Sequence, residues 1–341
     1  MSGGRPEHRQ FHEFVERHRR LLLTTHINPD GDGIGSEAAL ALWLAARGKS
    51  ARILNDSLVP PQFAFLTRDV AIEVFEPGIA EQRLDEADAL VVLDTSNRQR
   101  VGRLAPLLDR FAIPVAVVDH HVSHARGFGQ INLIEPEASA TGEILYDLFR
   151  EGPAPITSEI AEALYVALMT DTGSFRYSNT DTHAHRMAAD LLGYGVDPPR
   201  IHALVHAHGS AERLRFFGEV LSALELLADG RLVVLEASPE QFQRHGLVGA
   251  DTDGLVDLPR SIAGVEAVAL FSEVEPGKVK ASLRSTGRVA IDQIATRLGG
   301  GGHVHAAGVL LRGTRAEARA RVLPELECLI AELPAERRAA S

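Results

Sequence analysis

Two stretches decide the architecture: Ala89-Leu90-Val91-Val92-Leu93-Asp94 and Pro114-Val115-Ala116-Val117-Val118-Asp119-His120-His121. Each is a continuous apolar run closed by an acid, too short for a helix and lacking the alternation of a half-exposed strand. Runs of this kind suit central strands of a parallel sheet, covered on both faces. Upstream, Leu21-Leu22-Leu23-Thr24-Thr25 and Ala51-Arg52-Ile53-Leu54 read as two more short strands. Apolar residues fall at helical spacing over 34–47 between them, and residues 7–19 before them read as a helix. The alternation predicts an α/β domain, a doubly wound and mainly parallel sheet with helices on both faces.

From residue 141 to about 227 the pattern is mostly helical, interrupted at Gly152-Pro153, at residues 171–182 and at Asp197-Pro198-Pro199. It changes again after Asp229-Gly230. Residues 232–236, 265–273 and 278–284 read as strands, with Pro276-Gly277 turning a hairpin. A helix over 290–298 leads into four glycines, residues 306–311 form one more strand, and a helix over 315–333 follows. The expected organisation is a catalytic domain over 1–190, a helical linker over 191–228 and a smaller α/β domain with a mixed sheet over 229–341. A chain of 341 residues has the length for two such cores.

Composition excludes several functions. The 35 Lys plus Arg against 46 Asp plus Glu give a net charge of −11, a poor basis for non-specific nucleic-acid binding. A single cysteine, Cys328, removes any disulfide partner, cysteine-held zinc or cysteine-held iron–sulfur cluster. No apolar run reaches the roughly 18 residues of a membrane span, and the polar start lacks a signal peptide's apolar core. A soluble cytoplasmic protein with no membrane partner is expected. Fifteen histidines beside only three lysines raise the question of a metal.

The first site candidate is Thr25-His26-Ile27-Asn28-Pro29-Asp30-Gly31-Asp32-Gly33-Ile34-Gly35-Ser36, between a strand and a helix. It is no Walker A loop, since no Gly-Lys-Ser/Thr follows. It is also a poor dinucleotide fingerprint, because Ser36 stands where the last glycine or alanine belongs. A nicotinamide-type oxidoreductase would need this loop to cradle pyrophosphate, which its two acids repel. Taken alone it reads equally as a metal loop or as a cap in which Asp32 or Ser36 starts the helix. Asp94 and Asp119-His120-His121 stand at the carboxyl ends of predicted strands, where ligands gather in open parallel sheets. Met169-Thr170-Asp171-Thr172-Gly173 taken alone is a helix end with a glycine stop. Together, four segments offer Asp or His at element ends, and Asp30, Asp32, Asp94 and Asp171 would repel one another without cations. Oxygen and imidazole donors favour Mn²⁺, Mg²⁺ or Fe. Two ions sharing a carboxylate, roughly 3.5–4 Å apart, suit phosphate-ester hydrolysis. In the second domain, Gly299-Gly300-Gly301-Gly302-His303-Val304-His305-Ala306-Ala307-Gly308 joins a helix to a strand, where bare backbone N–H groups can approach a phosphate or base. Arg284 ends the hairpin, either as an exposed strand arginine or as a bidentate phosphate ligand.

These residues resemble the DHH phosphoesterase family, named for Asp119-His120-His121. Its signature segments are visible as His26-x-x-x-Asp30-x-Asp32, Asp94, Asp119-His120-His121 and Asp171. The glycine run is similar to that of the DHH-associated C-terminal domain, so the likeness spans nearly the whole chain. Within the family the chain is most similar to bacterial enzymes described as oligoribonucleases and 3′-phosphoadenosine 5′-phosphate phosphatases. The resemblance implies two divalent metal ions, Mn²⁺ first, with Mg²⁺ or another divalent ion as alternatives. His26, Asp30 and Asp94 would hold one, and Asp32, Asp94, His120 and Asp171 the other. Asp119 would support its histidine neighbours, and His121 would face the scissile phosphate as proton donor or charge stabiliser. Arg284, Ser285, the backbone of Gly300, Gly301 and Gly302, and His303 would bind the substrate. The implied activity cleaves short RNA oligonucleotides, linear dinucleotides such as pApA included, to 5′-mononucleotides, and 3′-phosphoadenosine 5′-phosphate to AMP. A cyclic-dinucleotide or other small-nucleotide phosphodiesterase, and a catalytically silent nucleotide sensor, are the alternatives. A homodimer is left open. One departure is Ser123-His124-Ala125-Arg126, where related sequences often carry Asn in place of His124.

Overall fold

In the computed structural model, residues 5–121, 126–207, 209–248, 252 and 254–333 are described, with only the backbone of His303. The departure at His124 lies outside the described residues. Contacts divide the chain between residues 208 and 209 into two units.

The apolar runs become the centre of the first unit's sheet. In chain order the unit holds α1 (Pro6–Arg17), β1 (Arg20–Thr24), α2 (Gly31–Ala46), β2 (Ser50–Asn55), β3 (Ile72–Val74), α3 (Pro77–Glu86) and β4 (Ala89–Leu93). It continues with α4 (Ala105–Phe111), β5 (Val115–Asp119), β6 (Ile131–Ile134), α5 (Thr141–Glu151), α6 (Ser158–Asp171), α7 (Thr182–Leu192) and α8 (Pro198–His206). The strands run β3-β2-β1-β4-β5-β6, all parallel. β4 and β5 are buried along their whole length, which is why their sequences show no alternation. Alternate residues serve two cores. Leu23, Val91, Leu93, Ala116 and Val118 pack with α1, α2 and α5 to α8. Leu22, Leu90, Val92 and Val117 pack with Ala80 and Leu84 of α3 and Leu108 of α4 on the other face. The sheet is therefore doubly wound, as expected.

The chain steps outward from β1 to β3 and then returns to lay β4 against β1's other side, pairing Leu21 with Ala89 and Thr24 with Val92. At such a reversal the loops leaving the two strands diverge and open a crevice at their carboxyl ends. β1, β4 and β5 lead there to His26, Asp94 and Asp119-His120-His121.

The second unit holds α9 (Ala211–Ser222), β7 (Glu225–Leu227), β8 (Leu232–Ala237), α10 (Pro239–His245), β9 (Ala267–Glu275) and β10 (Lys278–Ser285). After these come α11 (Asp292–Arg297), β11 (Gly301–His303), β12 (Ala306–Arg312) and α12 (Arg315–Glu332). Its sheet runs β11-β12-β10-β9-β8-β7, with β8 and β9 parallel and the other pairs antiparallel. This is the expected mixed sheet. One face packs on α11 and α12, the other on α9 and α10. Gly300 and Gly302 have a steric reason: a Cβ would stand 2.2 Å from Gly308 O or 2.4 Å from Ala306 O, so the backbone lies directly on β12. At Gly301 a Cβ would meet nothing.

Candidate metal centre

His26 leaves β1 with its Nδ1–H donated to the Ile27 carbonyl at 2.9 Å. In the neutral ring that bond leaves Nε2 as the nitrogen able to hold a metal, and this Nε2 faces Asp94 Oδ2 at 3.3 Å and Asp30 Oδ2 at 3.8 Å. Asp30 is the N-cap of α2, its Oδ1 accepting from the N–H groups of Asp32 and Gly33 at 3.1 Å. The helix begins at Gly31, earlier than the apolar spacing suggests, and Asp30 rather than Asp32 or Ser36 caps it.

Asp32 turns inward from the first turn of α2. Its Oδ2 accepts from Thr141 N at 2.7 Å, and its Oδ1 from Gly142 N at 2.9 Å and Ser36 Oγ at 3.1 Å. It thus satisfies the first N–H groups of α5 as well as lying at the start of α2, a position both helix dipoles favour. Asp94 has a left-handed backbone, φ +61°, and its Oδ1 accepts from Thr141 Oγ1 at 3.1 Å.

His120 Nδ1–H donates to Ala138 O at 3.2 Å. Its buried Nε2 has no hydrogen-bond partner among the described residues, yet faces Asp171 Oδ2 at 3.4 Å, Asp94 Oδ1 at 3.6 Å and Asp32 Oδ2 at 3.7 Å. Asp119 does not face this group. Its Oδ1 accepts from both His121 N at 3.1 Å and His121 Nδ1 at 2.7 Å, fixing that ring. Asp171 closes α6, the helix end read from the sequence, and its Oδ2 also lies 3.4 Å from His120 Nε2. Asn179 supports the same corner, donating to Ser139 O at 2.9 Å and Asp171 O at 3.2 Å.

Seven predicted side chains from four segments therefore meet, and they form three overlapping trios whose donor atoms lie within 4.8 Å: His26–Asp30–Asp94, Asp32–His120–Asp171 and Asp94–His120–His121. Burial pushes the carboxyl groups up, and crowding adds to it. Asp94 is raised well above the usual range by burial and then by Asp32 and Asp30. Asp32 is raised by burial, partly offset by His120. Asp171, also opposed by His120, reaches about 7. His120 shows the converse: burial would lower it, but Asp171, Asp32 and Asp94 outweigh burial and lift it to about 9. Burial raises Asp119 too, but its hydrogen bond and charge contact with His121 win and hold it at about 2. Carboxylate oxygens and imidazole nitrogens, with one buried nitrogen lacking any hydrogen bond among the described residues, are a donor set suited to divalent cations, which would displace the proton that His120 otherwise holds.

The second unit places the other candidates at the end of β10 and around β11, strands that β12 separates in the sheet. Arg284 is half-buried, with Nε 3.3 Å from Asp257 Oδ1 and a terminal amine donating to Leu283 O at 3.0 Å. Ser285 is fully buried, its Oγ accepting from Gly287 N at 3.1 Å and Val289 N at 3.2 Å. Its oxygen holds a turn. Gly301, Gly302 and the His303 backbone form β11, with Gly300 just before it, and the His303 side chain lies outside the description. Sequence reasoning missed Thr141, Gly142, Ala138 and Asn179. Three of them act through backbone atoms, for which no residue type is diagnostic. The only available hint was the small-residue run Ala138-Ser139-Ala140-Thr141-Gly142 ahead of a helix.

The family model described as "DHH family, N-terminal domain" matches residues 20–168, and that of the DHHA1 domain matches residues 230–332. The chain is 36% identical over 294 residues, 86% of its length and 84% of the relative's, to the bifunctional oligoribonuclease and PAP phosphatase NrnA of Thermus thermophilus. It is 24% identical to the protein of the same name from Bacillus subtilis, covering 92% of this chain and 95% of that one. Among solved structures, an exopolyphosphatase-related protein from Bacteroides fragilis superimposes with a TM-score of 0.89 at 26% identity, covering 96% and 98% of the two chains.

Proposed function

The chain belongs to the DHH family, with a DHHA1 domain following the DHH domain in sequence, and on that footing we propose that it is a two-metal phosphoesterase of short nucleotides. Its substrates are short RNA oligonucleotides, linear dinucleotides such as pApA among them, cleaved to 5′-mononucleotides, and 3′-phosphoadenosine 5′-phosphate, cleaved to AMP. The observation that carries this reading is the gathering of seven acid and imidazole groups at the sheet's reversal point, where the donor trios share Asp94 and His120. The names of the relatives in Thermus thermophilus and Bacillus subtilis support the substrate class.

In this reading His26, Asp30 and Asp94 hold one ion, and Asp32, Asp94, His120 and Asp171 the other, Mn²⁺ before Mg²⁺. Bound divalent ions would offset the gathered negative charge, polarise the phosphoryl group and activate a water. Ile27 O and Ala138 O keep His26 and His120 in the tautomer whose Nε2 is a donor atom. Asp119 fixes His121 through Nδ1, leaving Nε2 as the ring's reacting nitrogen. Hydrolysis adds water across the P–O3′ bond, oxygen to phosphorus and a proton to the leaving oxygen, and we assign delivery of that proton to His121. Residues 1–190 are assigned to catalysis. Arg284, Ser285, the backbone of Gly300, Gly301 and Gly302, and His303, within 229–341, are assigned to nucleotide binding. No helix among the described residues is long and apolar enough to cross a membrane, and we place the enzyme in the cytoplasm.

The test is purified protein with pApA and Mn²⁺, followed by chromatography of the nucleotides. Complete conversion to AMP, stopped by chelator, is expected. Binding of pApA without turnover would make the protein a sensor instead. Cleavage of cyclic dinucleotides with pApA spared would move the substrate class.

A further inference from the structure

Directly after Asp171 the backbone takes an unusual course. Gly173, Ser174 and Phe175 have φ values of +57°, +58° and +64°, three consecutive left-handed residues of which the last is a bulky aromatic. L-residues visit this region singly, and large side chains rarely. Such a conformation persists only where its surroundings over-determine it, and it clusters at functional sites. Here Ser174 N donates to Met169 O at 2.7 Å and Phe175 N to Thr172 Oγ1 at 3.2 Å, while Arg176 N and Tyr177 N both reach Thr172 O at 3.0 Å. The Phe175 ring stacks on His185 at 5.5 Å and lies 6.1 Å from Tyr165.

Ending α6 requires none of this, since one left-handed glycine ends a helix. The additional turn brings the chain back over its own start, so that the next two side chains both touch Gly173, two residues beyond Asp171. Arg176 Nε donates to Gly173 O at 2.7 Å, which fixes the guanidinium through one edge. The Tyr177 ring lies so close that a Cβ on Gly173 would stand 2.4 Å from its Cζ, and the residue is 37% exposed. An exposed arginine and an exposed tyrosine are thus held on the turn that leaves Asp171, five and six residues along the chain from a cluster made only of acids and imidazoles. A planar guanidinium matches phosphate oxygens, and a ring face accepts any base.

We propose that Arg176 and Tyr177 are substrate-contact residues: Arg176 binds a non-bridging oxygen of the phosphate being cleaved, and Tyr177 stacks on the adjoining nucleobase. This deepens the phosphoesterase reading and rests on it. Wild type, Arg176→Ala, Arg176→Lys, Tyr177→Ala and Tyr177→Phe are compared on pApA and on its analogue without bases, with Mn²⁺ affinity measured by calorimetry. Arg176→Ala lowers kcat/KM about 100-fold on both substrates, with partial return in Arg176→Lys. Tyr177→Ala raises KM for pApA about 10-fold and leaves the baseless analogue unchanged, while Tyr177→Phe behaves as wild type. Mn²⁺ affinity stays constant throughout. The proposal is overturned if the alanine variants keep wild-type kinetics. It is equally overturned if their losses track weakened Mn²⁺ binding, because the turn would then serve only to hold Asp171. Wild type inert on both substrates removes the phosphoesterase reading itself, a result distinct from either.

Discussion

Asp94 shows what one residue is asked to do here. Its two carboxylate oxygens face different imidazoles, Oδ2 toward His26 at 3.3 Å and Oδ1 toward His120 at 3.6 Å and His121 Nδ1 at 3.6 Å. The left-handed backbone that aims it is one that Asp tolerates better than most residues. Buried beside Asp30, Asp32 and Asp171, the carboxylate destabilises the metal-free fold. Asp94→Asn removes that charge and keeps the size. Without divalent ions the variant should melt above wild type, by the equivalent of roughly 1–3 kcal/mol. Wild type should gain the larger rise on adding Mn²⁺, since a ligand at 100 times its Kd contributes about 2.7 kcal/mol. Melting curves with and without Mn²⁺ read both effects. A variant that melts lower without metal and keeps the whole Mn²⁺ rise would take Asp94 out of the centre. A lone acid after an apolar run says little; Asp94 was legible because His26, Asp119-His120-His121 and Asp171 occupied equivalent element ends. Arg176 and Tyr177 carried no such signal, because their placement depends on φ angles that Ser174 and Phe175 do not advertise.

Between elements, α2 and β2 share a buried polar pair. Glu37 Oε2 accepts from Asn55 Nδ2 at 2.8 Å, while Glu37 Oε1 and Asn55 Oδ1 have no partner among the described residues. Burial, partly offset by Asn55 and His26, pushes the Glu37 carboxyl up to about 8. The folded state thus holds this proton more tightly than an unfolded chain, whose Glu titrates near its ordinary value of 4.5. Its contribution is whole below that value and is lost as pH rises toward about 8. Glu37→Gln mimics the protonated form and offers Asn55 Oδ1 a donor. The variant should match wild type near pH 5 and exceed it by ~2–5 kcal/mol near pH 9. Thermal melts across that range check it, and a constant difference would show that Glu37 does not titrate with folding. Elements were legible where packing is two-sided. β4 and β5 stood out as bare apolar runs, but β3 is three half-buried residues and β6 reads Ile-Asn-Leu-Ile with mostly half-buried positions. Neither leaves a period. β11 consists largely of glycine, whose lack of a side chain removes any pattern and, at Gly302, permits the contact with β12.

For the whole molecule, the strands could be read from sequence but their order could not. Apolar runs say that a strand is buried and not which neighbour buries it, so the return of β4 to β1 appears only in the structure. That return gives the acids and imidazoles one meeting place, in a chain whose net charge of −11 is a poor basis for broad phosphate binding. Affinity must then come from a few local groups, and the dependence on salt follows. Each phosphate gripped contributes about 0.7 to the log–log salt slope for a single strand. The kcat/KM for pApA should therefore fall with KCl at a slope of only about −1 to −2. Longer RNA brings its remaining phosphates against an acidic protein, a repulsion that grows as salt is lowered and the Debye length lengthens. A 20-nucleotide RNA, roughly ten times the length of pApA, should thus be cut less efficiently, with the gap widening at low salt. Initial rates for both substrates over a KCl series measure this. Equal rates with a slope near −5 would require an extended cationic track, and the short-substrate reading would then fail on charge alone.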